Sequence, residues 1–202
     1  YARTLKLDTH CIPCPLDWDR TVVPHQGTQF LTYVAPCQDK GLPWAARVLS
    51  ELEKARPDIP VLVVEGRGDL DAFARALPPG AGRSFQCSKT VADPRSFLRQ
   101  TRVLFMPSYV EPSGRLAQEA IINGTPVVAS DRGGLPWTVG DAGTCLPIDV
   151  EFSGMNDALP SARMVRPWVE AIARAWDEGP SREALLQHGR LRRVEWEPAQ
   201  LA

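Results

Sequence analysis

Residues 103–136 read VLFMPSYVEPSGRLAQEAIINGTPVVASDRGGLP. The apolar run Val103-Leu104-Phe105-Met106 predicts a strand, Pro107-Ser108 opens a turn, and Leu116, Ala120 and Ile121 recur at near-helical spacing. Asn123-Gly124 ends that helix, and Pro126-Val127-Val128-Ala129 reads as the next strand. Asp131-Arg132-Gly133-Gly134-Leu135-Pro136 then reads as a loop. The order strand, loop, helix, strand, loop is that of a βαβ crossover.

The same alternation extends in both directions. Strands are predicted at 28–35, 61–65, 83–87, 102–106, 126–130 and 144–148, with helices at 42–56, 69–77, near 94–100 and at 115–122. Strands separated by helical segments imply a parallel sheet with helices on both faces, an α/β fold of Rossmann-like type. Ligands of such sheets bind at the carboxyl ends of the strands. Residues 149–162, rich in Gly, Asn, Ser and Pro, read as a loop. Beyond them Val165, Trp168, Val169, Ile172 and Trp176 fall on one helical face, and a further helix covers roughly 181–194.

Within the central block the chemistry concentrates on two carboxylates flanking a glycine turn. A helix N-terminus leaves backbone N–H groups unpaired and carries partial positive charge, so it can seat a phosphate, and Gly114 lets one approach. Glu119, about a turn further on, can accept hydrogen bonds from the vicinal hydroxyls of a ribose, and Glu111 can do the same for another sugar. An isolated pair of this kind is ordinarily solvated and favoured only by the helix dipole.

Context gives the pair more weight. Residues 107–143, PSYVEPSGRLAQEAIINGTPVVASDRGGLPWTVGDAG, resemble the donor-binding core of GT-B glycosyltransferases, in particular the large retaining group 1 family with its Glu-x7-Glu motif. Residues 30–69, with a loop ending in Lys40-Gly41 and a strand ending at Gly66-Arg67-Gly68, are similar to the family's upstream block. The resemblance implies one half of a GT-B architecture, the C-terminal donor-binding half. It casts residues 1–27 as an irregular connector from a missing N-terminal acceptor-binding domain, 28–180 as the nucleotide-sugar-binding domain and 181–202 as a helical tail. In that architecture the last helix braces the other domain, so Trp196 is expected to be exposed.

The resemblance also assigns roles. Lys40 and the amides around Gly114 would stabilise the leaving diphosphate, Glu111 would hold the transferred sugar and Glu119 the ribose. Ser113, Arg115, Gly66, Arg67, Gly133 and Gly134 would complete the donor site. Transfer would proceed with retention and without a metal or other cofactor, on a nucleotide sugar for which UDP is the first choice of carrier. The setting implied is bacterial polysaccharide biosynthesis. Two positions depart from the family: Ala35-Pro36 stands where many relatives carry Gly-Arg, and Trp137 where they usually carry Glu. Arg67 or Arg115 is the candidate substitute for that arginine. The same architecture also serves epimerases, phosphorylases and non-catalytic assembly domains.

Other readings fall away. The net charge is −1, from 23 basic and 24 acidic residues without blocks of one sign, so there is no electrostatic footprint for nucleic acid. No apolar run approaches the length of a membrane span and no signal peptide opens the chain, which makes the cytoplasm the expected compartment. The five cysteines are an odd number, against a disulfide framework, and Cys11-x-x-Cys14 lacks the second pair that a zinc site requires. Gly66-x-Gly68 has Asp71 where a dinucleotide fingerprint needs glycine. Asp17-x-Asp19 and Asp69-x-Asp71 read as structural acids, and His10, His25 and His188 have no triad partners.

Overall fold

The computed structural model describes residues 14–23, 29–89, 93–149 and 158–197. His10, Cys11 and His25, and most of the 149–162 loop, lie outside them. The described chain runs α1 (Trp18–Thr21), β1 (Phe30–Val34), a 3-10 turn (Gln38–Lys40), α2 (Leu42–Ala55), β2 (Val61–Val64), α3 (Leu70–Ala76), β3 (Gln86–Ser88), α4 (Arg95–Leu98) and β4 (Thr101–Met106). It continues with α5 (Arg115–Ile122), β5 (Val127–Ser130), α6 (Leu135–Val139), a second 3-10 turn (Gly140–Ala142), β6 (Gly143–Leu146), α7 (Ala162–Trp176) and α8 (Pro180–Glu195).

The six strands form one parallel sheet in the order β3-β2-β1-β4-β5-β6. Strand side chains alternate between its faces. Leu31, Tyr33, Val61, Val63, Val103 and Phe105 pack under α2, α3 and α7, where Trp168 meets Trp44 and Phe105 edge-on. Phe30, Leu62, Val64, Leu104, Met106 and Val127 pack under α4, α5 and α6. Burial on both faces is why the strands read as near-continuous apolar runs.

Three expectations need correction. The strand predicted at 83–87 begins only at Gln86, because the Glu53 carboxylate accepts hydrogen bonds from the Gly82 and Ser84 amides and holds that stretch as a turn. The loop predicted through Pro136 gives way to α6, whose first turn accepts Pro136 since that position needs no N–H partner. Trp196 is buried, 2% exposed, rather than left open. α8 folds back over α5, Arg193 donating to the Ile122 carbonyl (2.9 Å), and carries the indole into the α5-side core.

The segment before β1 is docked as well. The Asn123 side chain accepts from the Val23 amide (2.9 Å) and donates to the Thr21 and Glu119 carbonyls, joining it to the end of α5. The Arg193 guanidinium sits 5.7 Å over the Trp18 ring. Among the described residues no helix is long and apolar enough to cross a membrane.

Candidate functional site

The chain leaves β1 for α2 on one face of the sheet and leaves β4 for α5 on the other. Neighbouring strands whose connections part in this way open a crevice at their carboxyl ends, the usual ligand position in such sheets. The two loops that border it are 35–41 and 107–114.

Those loops are pinned together. The Asp39 carbonyl accepts from the Tyr109 amide (2.9 Å) and the Val110 amide (3.2 Å), while the Tyr33 hydroxyl donates to the Lys40 carbonyl (3.1 Å). Gly41 has φ +70°, and a Cβ there would lie 1.9 Å from the Pro107 carbonyl oxygen. Only glycine combines that conformation with so close an approach. The third border is the loop after β5. A Cβ on Gly133 would come within 2.0 Å of the Glu111 carbonyl oxygen, and that carbonyl accepts from the Gly134 amide (2.9 Å). The Ser130 and Thr138 hydroxyls donate to the Ser108 and Ser113 carbonyls.

Across this crevice the Lys40 ammonium forms an ion pair with the Glu111 carboxylate, the two side chains being 31% and 11% exposed. The other oxygen of Glu111 accepts from the Gly114 amide at the start of α5 (3.3 Å). Lys40, Glu111, Ser113, Gly114, Gly133 and Gly134 therefore converge. They form a compact unit of one ammonium, one carboxylate and a helix N-terminus.

The remaining predicted residues lie to either side. Glu119 sits on α5 with its carboxylate 3.3 Å from Arg115, facing a groove of about 340 Å³ lined by Arg20, Thr21, Asp93 and Arg95. It is 9% exposed, contrary to the open helix acid the sequence suggests, because α1 and the Asp93–Arg95 turn flank α5. Burial pushes its carboxyl above the usual range, and Arg115 only partly opposes that. Gly66 lies against Ala35, and Arg67 lines a separate groove of about 650 Å³ with Pro36, Cys37 and Leu42. Arg67 and Arg115 thus lie in different grooves, and Arg115 is engaged with Glu119.

Ala35 has φ +60°, the only positive value among the described non-glycine residues. That is a conformation glycine adopts freely and alanine at a cost of about 1–2 kcal/mol. The acids set aside earlier are helix caps: Asp69 accepts from the Asp71 and Ala72 amides, and Asp17 from the Arg20 amide. Among the described residues no three His, Cys, Asp or Glu side chains converge as a metal site would require. Residue-by-residue reading passed over Ser130 and Thr138, and named Gly41 and Asn123 without their bracing roles. Their task is to hold backbone in place, and only the glycine before a helix after a strand end carried a local signal.

The sheet order and the crevice between β1 and β4 define a Rossmann-like α/β domain. Residues 28–159 match the family described as glycosyl transferases group 1, and the chain belongs to that family. The D-inositol 3-phosphate glycosyltransferase of Corynebacterium diphtheriae is 28% identical over 170 residues, which cover 78% of this chain and 36% of that protein. The corresponding enzyme of Mycobacterium sp. (strain KMS) is 31% identical over 142 residues, 65% of this chain and 30% of the relative. The chain thus spans about a third of these curated relatives.

Among solved structures, the pneumococcal O-GlcNAc transferase GtfA in complex with UDP and GlcNAc superposes with a TM-score of 0.68 at 17% identity, over 87% of this chain and 34% of GtfA. The C-terminal domain of the group 1 glycosyltransferase LpcC from Francisella tularensis superposes with a TM-score of 0.65 at 15% identity, over 89% of this chain and 97% of that one. The fold is the Rossmann-like half of a GT-B glycosyltransferase.

Proposed function

We propose that the chain binds a nucleoside-diphosphate sugar in the β1–β4 crevice and supports retaining glycosyl transfer within a two-domain enzyme. The observation that carries this reading is the convergence of Lys40, Glu111 and the Gly114 amide at the start of α5, at the switch point of the sheet. The diphosphate lies against Lys40 and the Gly114 amide, the ribose against Glu119, and the hexose beside Glu111 and the Gly133-Gly134 loop. UDP is the favoured carrier, in keeping with the UDP bound by GtfA.

In the reaction the bond between the anomeric carbon and the diphosphate oxygen breaks and its electron pair leaves with the diphosphate. The acceptor oxygen bonds to the anomeric carbon on the same face, and its proton passes to the departing diphosphate. Charge grows on that leaving group, so a fixed ammonium and oriented amides act where they contribute most. A second reading, donor binding without transfer, draws on Pro36 and Trp137, which replace a cation and a carboxylate that relatives supply.

Calorimetric titration with UDP, GDP, ADP and the parent nucleosides tests the assignment. Lys40→Ala is expected to weaken diphosphate binding by about 1–3 kcal/mol and to leave nucleoside binding unchanged. Glu119→Ala is expected to weaken both. Equal losses for diphosphate and nucleoside in Lys40→Ala would remove Lys40 from the phosphate site.

A further inference from the structure

We propose that the Glu111 carboxylate is the resident anion of the diphosphate seat, so that donor binding proceeds by exchange: the diphosphate takes Lys40 and the α5 amide from Glu111 and thereby frees that carboxylate for the sugar. The inference rests on the donor reading above and adds a step to it. In the structure the two groups proposed for opposite ends of the donor are bonded to each other. One oxygen of Glu111 meets the Lys40 ammonium and the other accepts from the Gly114 amide. A cation and a helix N-terminal N–H are the partners a phosphate would choose.

The surroundings confine the exchange to side chains. Asp39, Tyr109, Val110, Gly133 and Gly134 fix the backbone of both loops, and Gly41 admits no other approach between them. Glu111 is 11% exposed and Lys40 31%, so the carboxylate is the more enclosed partner and Lys40 has the open flank by which a diphosphate can enter. Glu111 supplies the counter-ion until the ligand does. The exchange also orders events, since Glu111 is released toward the hexose only once the diphosphate is seated.

The test uses the whole chain, with inorganic pyrophosphate, UDP and uridine titrated into the parent, Glu111→Gln, Lys40→Met and the double variant. Glutamine keeps the volume and the acceptor for the Gly114 amide while removing the charge. Glu111→Gln is expected to bind pyrophosphate and UDP roughly three- to tenfold more tightly than the parent, the equivalent of one partly screened ion pair, with uridine unchanged. The gain is expected to vanish in the Lys40→Met background. Diphosphate binding by Glu111→Gln that equals or falls below the parent's overturns the exchange while leaving the donor site standing. A gain that survives Lys40→Met also overturns it, by assigning the effect to net charge. No UDP binding by any variant, all shown folded by circular dichroism, overturns the donor reading and the exchange together.

Discussion

Glu119 is held in an environment that penalises its charge, and this ties a proposed binding residue to the stability of the fold. Burial raises its folded-state pKa above the unfolded value, with Arg115 opposing. Below the usual carboxylate range both states are protonated and the penalty is absent. As pH rises, the unfolded chain loses this proton first, so native stability falls until the pH passes the folded pKa, above which the cost is complete. Glu119→Gln is therefore expected to be more stable than the parent at neutral pH, the gain fading as pH falls through the usual carboxylate range, while ribose binding weakens. Thermal melts across that range, read beside nucleoside titration, check both. A variant less stable than the parent at neutral pH would mean that the Arg115 pair outweighs desolvation. Glu111, Glu119 and Lys40 were legible in the sequence because each lies in a motif at a strand end. The burial of Glu119 was not, since it depends on α1 docking through Asn123, more than a hundred residues after Thr21. Ala35 is a related case: its positive φ is one that glycine adopts most freely, yet nothing in Ala35-Pro36 announces that backbone.

Elements with strong periodicity were legible, and short ones were not. β1, β2, β4 and β5, with α2, α5 and α7, follow from apolar runs and helical stripes because burial on two faces, or on one stripe, fixes their pattern. β3 is a three-residue edge strand whose start is set by Glu53 on another element, and α6 is a single turn made possible by contacts to the 111–114 loop. Neither leaves a periodic trace. α8 is the instructive element. Its sequence reads as a helix over roughly 181–194, but the residue that matters most, Trp196, lies one position beyond the observed helix and completes the α5-side core. Arg192 caps the indole face at 5.7 Å and also donates to the Trp137 carbonyl (3.0 Å), so the end of α8 also braces the helix behind the glycine loop. Trp196→Ala is expected to cost about 3–5 kcal/mol, as large-to-small core changes do. Urea denaturation measures it. A loss below 1 kcal/mol would mean that the indole contributes as a surface residue does.

At the scale of the whole molecule, the described residues form one sheet and one wall of a cleft. Lys40, Glu111 and Gly114 meet at the carboxyl edge of that sheet with Glu119 in the groove beside them, and the described residues bring no second domain over it. Glycosyl transfer needs the acceptor oxygen held about 3–3.5 Å from the anomeric carbon with its orbital aligned. A surface that closes over the donor supplies that geometry and excludes the water that would otherwise hydrolyse it. The curated relatives continue for about twice as much chain again as the matched segments, which leaves room for such a surface. The 202-residue chain is therefore expected to bind a nucleoside diphosphate and to transfer no sugar by itself. Incubation with labelled UDP-hexoses and sugar-alcohol acceptors, with Glu111→Ala as the background control, reads this directly. Transfer above that background would mean that this single wall orients the acceptor unaided. The catalytic surface would then have to include the exposed Val110 and Trp137 beside the glycine loop, 58% and 37% accessible, as the acceptor's own platform.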